Sequence, residues 1–294
     1  MMVIFQNKII YMPSVPPFSR SERVGDYEAQ CRPVVWTEKD LKAVDGTALK
    51  LLEGSMITSS DSDEAEHVVI VYFQGNASSL PPRLPYLSNI LKRLVREDPG
   101  GRKYTIVALS YRGYWKSKGS ASQTGIELDA EAALTWVRGR YDHGRTKIVV
   151  WGQSIGAGVA SVSLANLFKN SPDNHRRFSG LILETPFVDL KRMLVALYPQ
   201  KFLPYRYLTP FLRSTWDTST ALHRIGQSKP KLKVLILEAG NDEIVPPGQA
   251  ETLEGVCIEE QLKVDRKKVP GALHTEVMVK GQGQNHVMEF VRSL

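Results

Sequence analysis

Six short apolar runs, each followed or preceded by a segment long enough for a helix, constrain the fold of this chain most strongly. They are residues 68–73, 104–109, 147–151, 180–183, 233–237 and the weaker 264–269. Short runs that are apolar throughout and rich in β-branched residues are typical of strands buried on both faces of a parallel sheet. Residues 84–95, 128–141 and 248–254 carry apolar residues at helical spacing, so helices are expected between the strands.

A hairpin is expected before these repeated units. Asp45-Gly46 separates two alternating segments, residues 41–44 and 47–51, and Asp-Gly in that setting is a strong hairpin signal. At the other end, residues 287–294 place four apolar side chains on one face of a final helix. The sequence therefore predicts a three-layer α/β fold: a mostly parallel eight-stranded sheet, an antiparallel N-terminal hairpin, and helices on both faces.

Two segments depart from the alternation of strands and helices. Four prolines in residues 13–33 indicate that residues 1–33 form an extended N-terminal arm before a single domain of residues 34–294. Residues 187–218 lack a strand pattern, so we expect a small inserted cap of short helices there. Its aromatic residues are Tyr198, Phe202, Tyr205, Tyr207, Phe211 and Trp216. Such residues usually form the core of a cap, and an aromatic cap over a site favours an apolar or acyl substrate.

The overall composition narrows the class of protein. Over 294 residues, 42% hydrophobic and 23% charged residues are ordinary values for a globular protein. Two cysteines, Cys31 and Cys257, provide neither a disulfide framework nor the spacing of a zinc site. No apolar stretch reaches the roughly 18 residues of a membrane span, and the apolar start at residues 1–5 is too short for a signal peptide. We therefore expect an intracellular protein, cytoplasmic or peripherally membrane-associated.

The net charge of +7 favours contact with anionic surfaces, although a solvated basic surface is the plainer explanation. There is no dense run of Lys and Arg interleaved with aromatic residues, so a nucleic-acid partner is not expected. The charge therefore leaves two alternatives, peripheral association with a membrane or a solvated basic surface.

The strongest chemical signal is a G-x-S-x-G motif formed by Gly152, Ser154 and Gly156. It follows the apolar run 147–151 directly and opens into a helix of small residues, which is the strand–turn–helix setting of a nucleophile elbow. This turn lifts the Ser154 hydroxyl to the carboxyl edge of the sheet, above the positive end of the next helix. The alternative is a glycine-rich turn with an incidental serine.

A serine nucleophile needs a base that an acid holds in place, and in this kind of fold the chain order is serine, acid, histidine. Asp242 follows the fifth apolar run and is the expected acid, with Glu184 as its rival. His274 follows the sixth run and is the expected base, with His286 as its competitor. Asp242 could instead satisfy only the backbone of its own loop.

An oxyanion hole needs two backbone N–H donors. One should come from Ile155, directly after the nucleophile. The other should come from the turn after the first buried run, where Asn76 follows Gly75.

Several motifs in a fixed order resemble those of a known family. They lie at residues 10–13, 74–77 (Gln-Gly-Asn-Ala), 111–119 (beginning Tyr-Arg-Gly-Tyr), 183–187 (Leu-Glu-Thr-Pro-Phe) and 240–246 (Gly-Asn-Asp-Glu-Ile-Val-Pro). With the serine motif, they make residues 8–294 similar to the α/β-hydrolase domain-containing proteins, in particular the fungal bud-emergence branch. The resemblance implies the α/β-hydrolase fold. Members of this branch often carry an N-terminal membrane anchor, and this chain begins where that anchor would end, as a soluble variant or a truncated one would.

The chain departs from the family pattern at two positions. Gln74 replaces a histidine before the oxyanion glycine, and Trp115 replaces a glycine in the Tyr-Arg-Gly loop. The first change affects how the oxyanion turn is braced, and the second places a large ring near the mouth of the site. With Gln153 and Phe187, these residues are expected to line the substrate pocket.

The sequence therefore predicts a serine hydrolase that cleaves an ester or thioester through Ser154, His274 and Asp242 and an acyl-enzyme. Water is the second substrate, so neither a cofactor nor a metal is expected. The alternatives within catalysis are an acyl-protein thioesterase and a lysophospholipase or monoacylglycerol-type lipase. The alternative from another class is a catalytically inactive binding protein built on the same fold.

Overall fold

Within the residues that the structure describes, eight strands form one sheet that organises the fold. The computed structural model describes residues 2–56, 65–98, 101–141, 144–170, 177–197, 211–228 and 231–294. The strands are β1 (Val35–Lys42), β2 (Ala48–Ser55), β3 (His67–Phe73), β4 (Lys103–Ser110), β5 (Thr146–Gln153), β6 (Phe178–Glu184), β7 (Lys233–Ala239) and β8 (Lys263–Val269).

The sheet has the order β1-β2-β4-β3-β5-β6-β7-β8. The first two strands pair antiparallel with each other, and β2 pairs antiparallel with β4. All pairs from β4 to β8 are parallel. This is the eight-stranded, mostly parallel sheet with an antiparallel start that the apolar runs predicted. At the turn between β1 and β2, Gly46 has a φ of 82° and Thr47 N–H donates to Asp45 Oδ1 at 3.1 Å. The Asp-Gly hairpin is confirmed.

Helices connect the strands. In the described part of the chain they are α1 (Met2–Tyr11), α2 (Glu28–Cys31), α3 (Leu84–Glu97), α4 (Gln123–Arg140), α5 (Ile155–Asn170), α6 (Leu190–Leu197), α7 (Thr218–Gln227), α8 (Gln249–Glu259) and α9 (Gly281–Arg292). The expected helices at 84–95, 128–141, 248–254 and the C-terminus correspond to α3, α4, α8 and α9. Short 3-10 turns occur at Ser19–Ser21, Val24–Tyr27 and Pro81–Arg83.

The core lies on both faces of the sheet. Alternate residues of β3 enter opposite hydrophobic clusters, since Val69 and Val71 pack with one cluster and Val68 and Ile70 with the other. All four side chains are fully buried. This two-sided burial explains why the strand sequence is apolar throughout rather than alternating.

The N-terminal segment is not the extended arm that its prolines predicted. Residues 2–11 are helical, and two 3-10 turns and α2 follow, the last ending at Cys31. Proline disfavours the interior of a helix, but residues 19–31 contain none, so short helical turns form between the prolines. Ile10 and Tyr11 are buried against the domain, which fixes the segment on its surface.

The expected cap lies only partly within the described residues. α6 and α7 flank it, whereas residues 198–210, with most of its aromatic side chains, fall outside the described ranges. Trp216 at its end is fully buried and Phe211 is exposed. The cap therefore stays a prediction. Among the helices in the described ranges, not one combines the length and apolar character that crossing a bilayer requires.

Candidate active site

The G-x-S-x-G motif forms a sharp turn between β5, which ends at Gln153, and α5, which begins at Ile155. Ser154 has a φ of 54°, in the left-handed region that a non-glycine residue rarely occupies. A Cβ at Gly152 would lie 2.0 Å from the Gly156 carbonyl oxygen, and one at Gly156 would lie 2.1 Å from that of Phe73. Both glycines are therefore required by close backbone approach, and the turn they permit leaves Ser154 partly exposed.

Ser154, His274 and Asp242 form a continuous hydrogen-bonded chain. Ser154 Oγ lies 2.9 Å from His274 Nε2, and His274 Nδ1 lies 2.9 and 3.0 Å from the two carboxylate oxygens of Asp242. These residues follow β5, β8 and β7, whose parallel carboxyl ends share one edge of the sheet. The structure thus brings together three predicted residues that are up to 120 positions apart. In the neutral tautomer with its proton on Nδ1, His274 can accept the serine proton at Nε2.

Backbone donors fix Asp242 in this position. Its Oδ1 accepts hydrogen bonds from Ile244 N–H at 2.9 Å and Val245 N–H at 2.7 Å. Burial acts to raise the pKa of Asp242, but the hydrogen bond and charge of His274, together with these backbone donors, outweigh it and lower the pKa. The carboxylate is consequently ionised at neutral pH and can stabilise a protonated imidazole.

Two backbone hydrogen bonds hold the acid loop against the base loop. Gly240 N–H donates to Val269 O at 2.8 Å, and Asn241 N–H donates to Ala272 O at 2.9 Å. The base loop is also held from the side, because His274 N–H donates to Glu243 Oε2 at 2.9 Å. The distance between acid and base is therefore set by the backbone as well as by their own side chains.

The rival residues have other partners. Glu184 is fully buried and accepts hydrogen bonds from Trp151 and Gln153. His286 lies in α9, where its Nδ1 is 3.8 Å from Oε2 of Glu289. His223 lies in α7, where its Nδ1 is 2.8 Å from Glu260. His143 and His175 are outside the described ranges.

The predicted oxyanion donors lie on two separate segments, with Ile155 at the start of α5 and Asn76 in the turn after β3. The side chain of Asn76 is already engaged: its Nδ2 donates to Ile10 O, and its Oδ1 accepts from Ala77 N–H and Tyr114 Oη–H. Since these bonds engage the Asn76 amide group on both its N and O, the backbone N–H of Asn76 is the group left to serve as a donor. The backbone oxyanion role of Asn76 and Ile155 stays a prediction.

A buried polar cluster lies directly behind the elbow. Trp151 Nε1 donates to Glu184 Oε2 at 2.9 Å, and Gln153 Nε2 donates to Glu184 Oε1 at 3.3 Å. Arg83 Nη1 donates to Gln153 Oε1 at 2.7 Å. Burial raises the pKa of Glu184 to about 7, although the Trp151 hydrogen bond and the charges of Arg83 and His274 act against it. Sequence reasoning considered Glu184 only as a rival acid and missed Arg83, which occupies an ordinary Pro-Pro-Arg turn.

Comparison with curated proteins places the chain in a family. It is 30% identical over 291 residues to the α/β hydrolase domain-containing protein WAV2 of Arabidopsis thaliana, a match that covers 96% of this chain and 85% of that protein. The chain belongs to the α/β-hydrolase domain-containing family. It is also 33% identical to the bem46 protein of Schizosaccharomyces pombe, over 70% of this chain and 61% of that one. No protein-family model matches the sequence.

A further relative in this family carries an activity in its name. The chain is 31% identical to the lysophosphatidylserine lipase ABHD12 of Danio rerio, over 63% of this chain and 46% of that protein. The chain thus spans less than half of that lipase and about three fifths of bem46.

Solved structures show the same fold. An α/β-hydrolase of Vibrio vulnificus superposes with a TM-score of 0.64 at 16% identity, over 98% of this chain and 90% of that one. An esterase of Pyrococcus furiosus superposes with a TM-score of 0.62 at 17% identity, over 88% and 90% of the two chains. The fold of this chain is therefore the α/β-hydrolase fold.

Gln74 and Trp115, the two departures from the expected motifs, are both buried. Gln74 is fully buried, and neither atom of its side-chain amide has a hydrogen-bond partner among the described residues. Trp115 is 1% exposed, has a φ of 40°, and donates from Nε1 to Glu22 O at 2.8 Å. Its φ lies in the left-handed region that glycine adopts most readily, and its ring packs under the N-terminal segment.

The remaining predicted pocket residues are also buried. Gln153 is 3% exposed and its amide is engaged by Arg83 and Glu184 as described, and Phe187 is 3% exposed within the hydrophobic core. A role of these side chains in lining the substrate pocket stays a prediction.

Proposed function

We propose that this protein is a serine hydrolase that cleaves carboxylic esters, with Ser154 as nucleophile, His274 as general base and Asp242 as the orienting acid. The observation that carries the proposal is the hydrogen-bonded chain from Ser154 Oγ through both imidazole nitrogens to the Asp242 carboxylate. A serine hydroxyl gains nucleophilicity only from such a positioned base, and the base only works in the tautomer that the acid selects.

In the proposed reaction, Ser154 Oγ attacks the carbonyl carbon of the ester and its proton passes to His274 Nε2. The backbone N–H groups of Ile155 and Asn76 hold the oxyanion of the tetrahedral intermediate. His274 then gives its proton to the departing alkoxide, which leaves as an alcohol. His274 then takes a proton from a water molecule, whose oxygen attacks the acyl-enzyme carbonyl. His274 returns that proton to Ser154 Oγ as the bond from the acyl carbon to Oγ breaks, which releases the carboxylic acid and regenerates Ser154.

Lysophospholipids are the substrate class that we favour within the esters. Relatives of this chain are named lysophosphatidylserine lipases, and this class of substrate presents a single long acyl chain on a glycerol ester. An acyl-protein thioester would react through the same steps, with a thiol as leaving group. Peripheral contact with an anionic membrane, favoured by the net charge of +7, would give access to either substrate.

A fluorophosphonate probe tests the nucleophile. We expect the wild-type chain to be labelled and Ser154→Ala to show no labelling. Ser161→Ala is a matched control, since Ser161 lies in α5 with its hydroxyl bonded to Ala157 O at 2.8 Å and should keep full labelling. A folded wild-type chain without labelling would overturn the proposal and favour a binding protein on the same fold.

A chain-length series of p-nitrophenyl esters then tests the substrate class. We expect kcat/KM to keep rising beyond about eight carbons, because each buried methylene adds about 0.8 kcal/mol of binding. A panel of lysophospholipids with different head groups follows, with an acyl-cysteine peptide as the thioester arm. An optimum at two to four carbons would exclude long-chain lipid and acyl-protein substrates.

A further inference from the structure

The two donors of the proposed oxyanion hole lie on separate segments of the chain, and only noncovalent contacts set the distance between these segments. One donor comes from the elbow, at Ile155, and the other from the turn after β3, at Asn76. Such donors act only when they lie about 2.7–3.1 Å from the developing oxyanion, so a small relative movement of elbow and turn removes the stabilisation. A side chain that contacts both pieces would control their spacing.

Arg83 makes those two contacts. Its Nη1 donates to Gln153 Oε1 at 2.7 Å, next to the nucleophile, and its Nη2 donates to Ala77 O at 3.4 Å, next to Asn76. Arg83 ends the 3-10 turn Pro81–Arg83 just before α3, so its backbone is anchored outside both pieces. The planar guanidinium can donate in two fixed directions at once, which an ammonium group cannot do with the same geometry.

The turn that Arg83 contacts is strained. Ala77 and Ser78 have φ values of 57° and 58°, two consecutive non-glycine residues in the left-handed region. Such residues cost on the order of 1–3 kcal/mol each and persist only where surrounding contacts enforce them. Here the Ala77 carbonyl accepts from Arg83, and Ser78 N–H donates to Val15 O. Loss of the Arg83 contact would let the turn relax and move the Asn76 N–H.

The contact between Arg83 and Gln153 is equally constrained. Gln153 Oε1 accepts from Arg83 and, at 3.2 Å, from Tyr72 Oη–H, whereas its Nε2 donates to Glu184 Oε1. These partners fix which way the amide points. The backbone carbonyl of Glu184 in turn accepts from Ser154 N–H at 2.8 Å. One residue of β6 therefore holds both the nucleophile and the amide beside it.

We propose that Arg83 is a positioning residue that fixes the oxyanion turn to the nucleophile elbow, with Gln153 as the link and the buried Glu184 carboxyl as the group that orients the Gln153 amide. This role rests on the proposed function, because it concerns the geometry of the same site. Arg83 acts through Gln153 and Ala77 and is not itself in contact with the reacting atoms.

The test compares Arg83→Met, Arg83→Lys and Gln153→Met with the wild-type chain. Active sites are first counted by titration with the fluorophosphonate, so that kcat refers to folded, reactive protein only. We expect kcat for a p-nitrophenyl ester to fall about 10- to 100-fold in Arg83→Met, with KM changed less than about threefold, because donor geometry affects the transition state selectively. Arg83→Lys keeps the positive charge but loses the two-directional guanidinium donors, so its kcat should lie between those of wild type and Arg83→Met. The kcat of Gln153→Met should resemble that of Arg83→Met.

A second readout separates positioning from general support of the fold. An alkyl trifluoromethyl ketone forms a tetrahedral adduct with an oxyanion, so its inhibition constant should weaken by the same factor as kcat. Arg93→Met is the matched control: Arg93 lies further along α3, bonded to Glu97 and Asn285 away from the elbow, and kcat per titrated site should not change.

If Arg83→Met and Gln153→Met both keep the wild-type kcat per titrated site, the positioning role is wrong, whatever the thermal stability of the two variants. If Arg83→Met does not fold, the single variant Gln153→Met, which removes the same contact from its other side, carries the same test. An unlabelled wild-type chain overturns the proposed function and this role with it. A labelled wild type with unchanged variants overturns the role of Arg83 alone.

Discussion

Replacing Glu184 by glutamine should change how the stability of this protein depends on pH. The side chain is fully buried at the end of β6, and burial raises its pKa from the ordinary 4.5 to about 7. Between these two values, the folded state holds a proton that the unfolded state has lost. The free energy of unfolding therefore decreases as the pH rises through this window.

The size of the effect follows from the two pKa values. A difference of one in pKa corresponds to about 1.4 kcal/mol, so ionising Glu184 costs the folded state about 3 kcal/mol once the pH exceeds 7. Glutamine has no such ionisation. We expect the unfolding free energy of Glu184→Gln, relative to wild type, to increase by about 3 kcal/mol between pH 4 and pH 8. A constant offset from altered hydrogen bonds with Trp151 and Gln153 is superimposed on this change.

Urea unfolding at half-unit intervals of pH measures this difference, since other ionisable groups contribute equally to both proteins. Glu53→Gln is the matched control. Burial acts to raise the pKa of Glu53, but the Tyr141 hydrogen bond and the charges of Arg140 and Lys39 outweigh it and lower the pKa. Glu53 thus contributes stability above its ordinary pKa and loses it as the pH falls through the folded-state pKa, so Glu53→Gln should run parallel to wild type from pH 5 to 8. Parallel curves for Glu184→Gln as well would refute the reasoning.

Two further predictions concern the G-x-S-x-G turn and the acid Asp242. Asp242→Asn should lower kcat about 10⁴-fold with little change in KM, because the amide selects the wrong imidazole tautomer; a kcat within tenfold of wild type in steady-state kinetics would contradict the assignment. Gly156→Ala places a Cβ 2.1 Å from Phe73 O, a backbone atom that cannot rotate away, so we expect a large drop in Tm and loss of fluorophosphonate labelling. Gly139→Ala in α4 is its control, since that Cβ meets nothing within 4 Å and should stabilise the helix by up to about 1 kcal/mol. Equal behaviour of the two alanine variants would show that close approach is not what requires Gly156.

The N-terminal segment illustrates the limit of local sequence patterns. Its prolines predicted an extended arm, yet residues 2–11 are helical, and the segment is bound to the domain. Tyr11 Oη lies 2.8 Å from Ser214 Oγ and accepts from Trp216 Nε1 at 2.9 Å. Partners more than 200 positions away decide this conformation, and no pattern within the segment encodes them.

What the sequence determined by itself is the strands and helices of the domain after residue 34 and the candidate residues at the ends of those strands. The strand and helix periods, the Asp45-Gly46 hairpin and the glycines around Ser154 are all local, because each depends on neighbours within a few residues. The chain order serine, acid, histidine also corresponds to the structure, because the parallel strands that precede these three residues end at one edge of the sheet.

The tertiary structure alone decided which distant side chains meet. The strand order, with β3 between β4 and β5, sets the turn after β3 beside the G-x-S-x-G turn, and the loops after β7 and β8 bring Asp242 and His274 to Ser154. The hydrogen bonds from Arg83 to Gln153 and from Gln153 to Glu184 join three elements, and they depend on how those elements are aligned with one another. A hydrogen bond requires its two atoms within a few tenths of an ångström, and in this site that precision comes from the packing of the whole sheet.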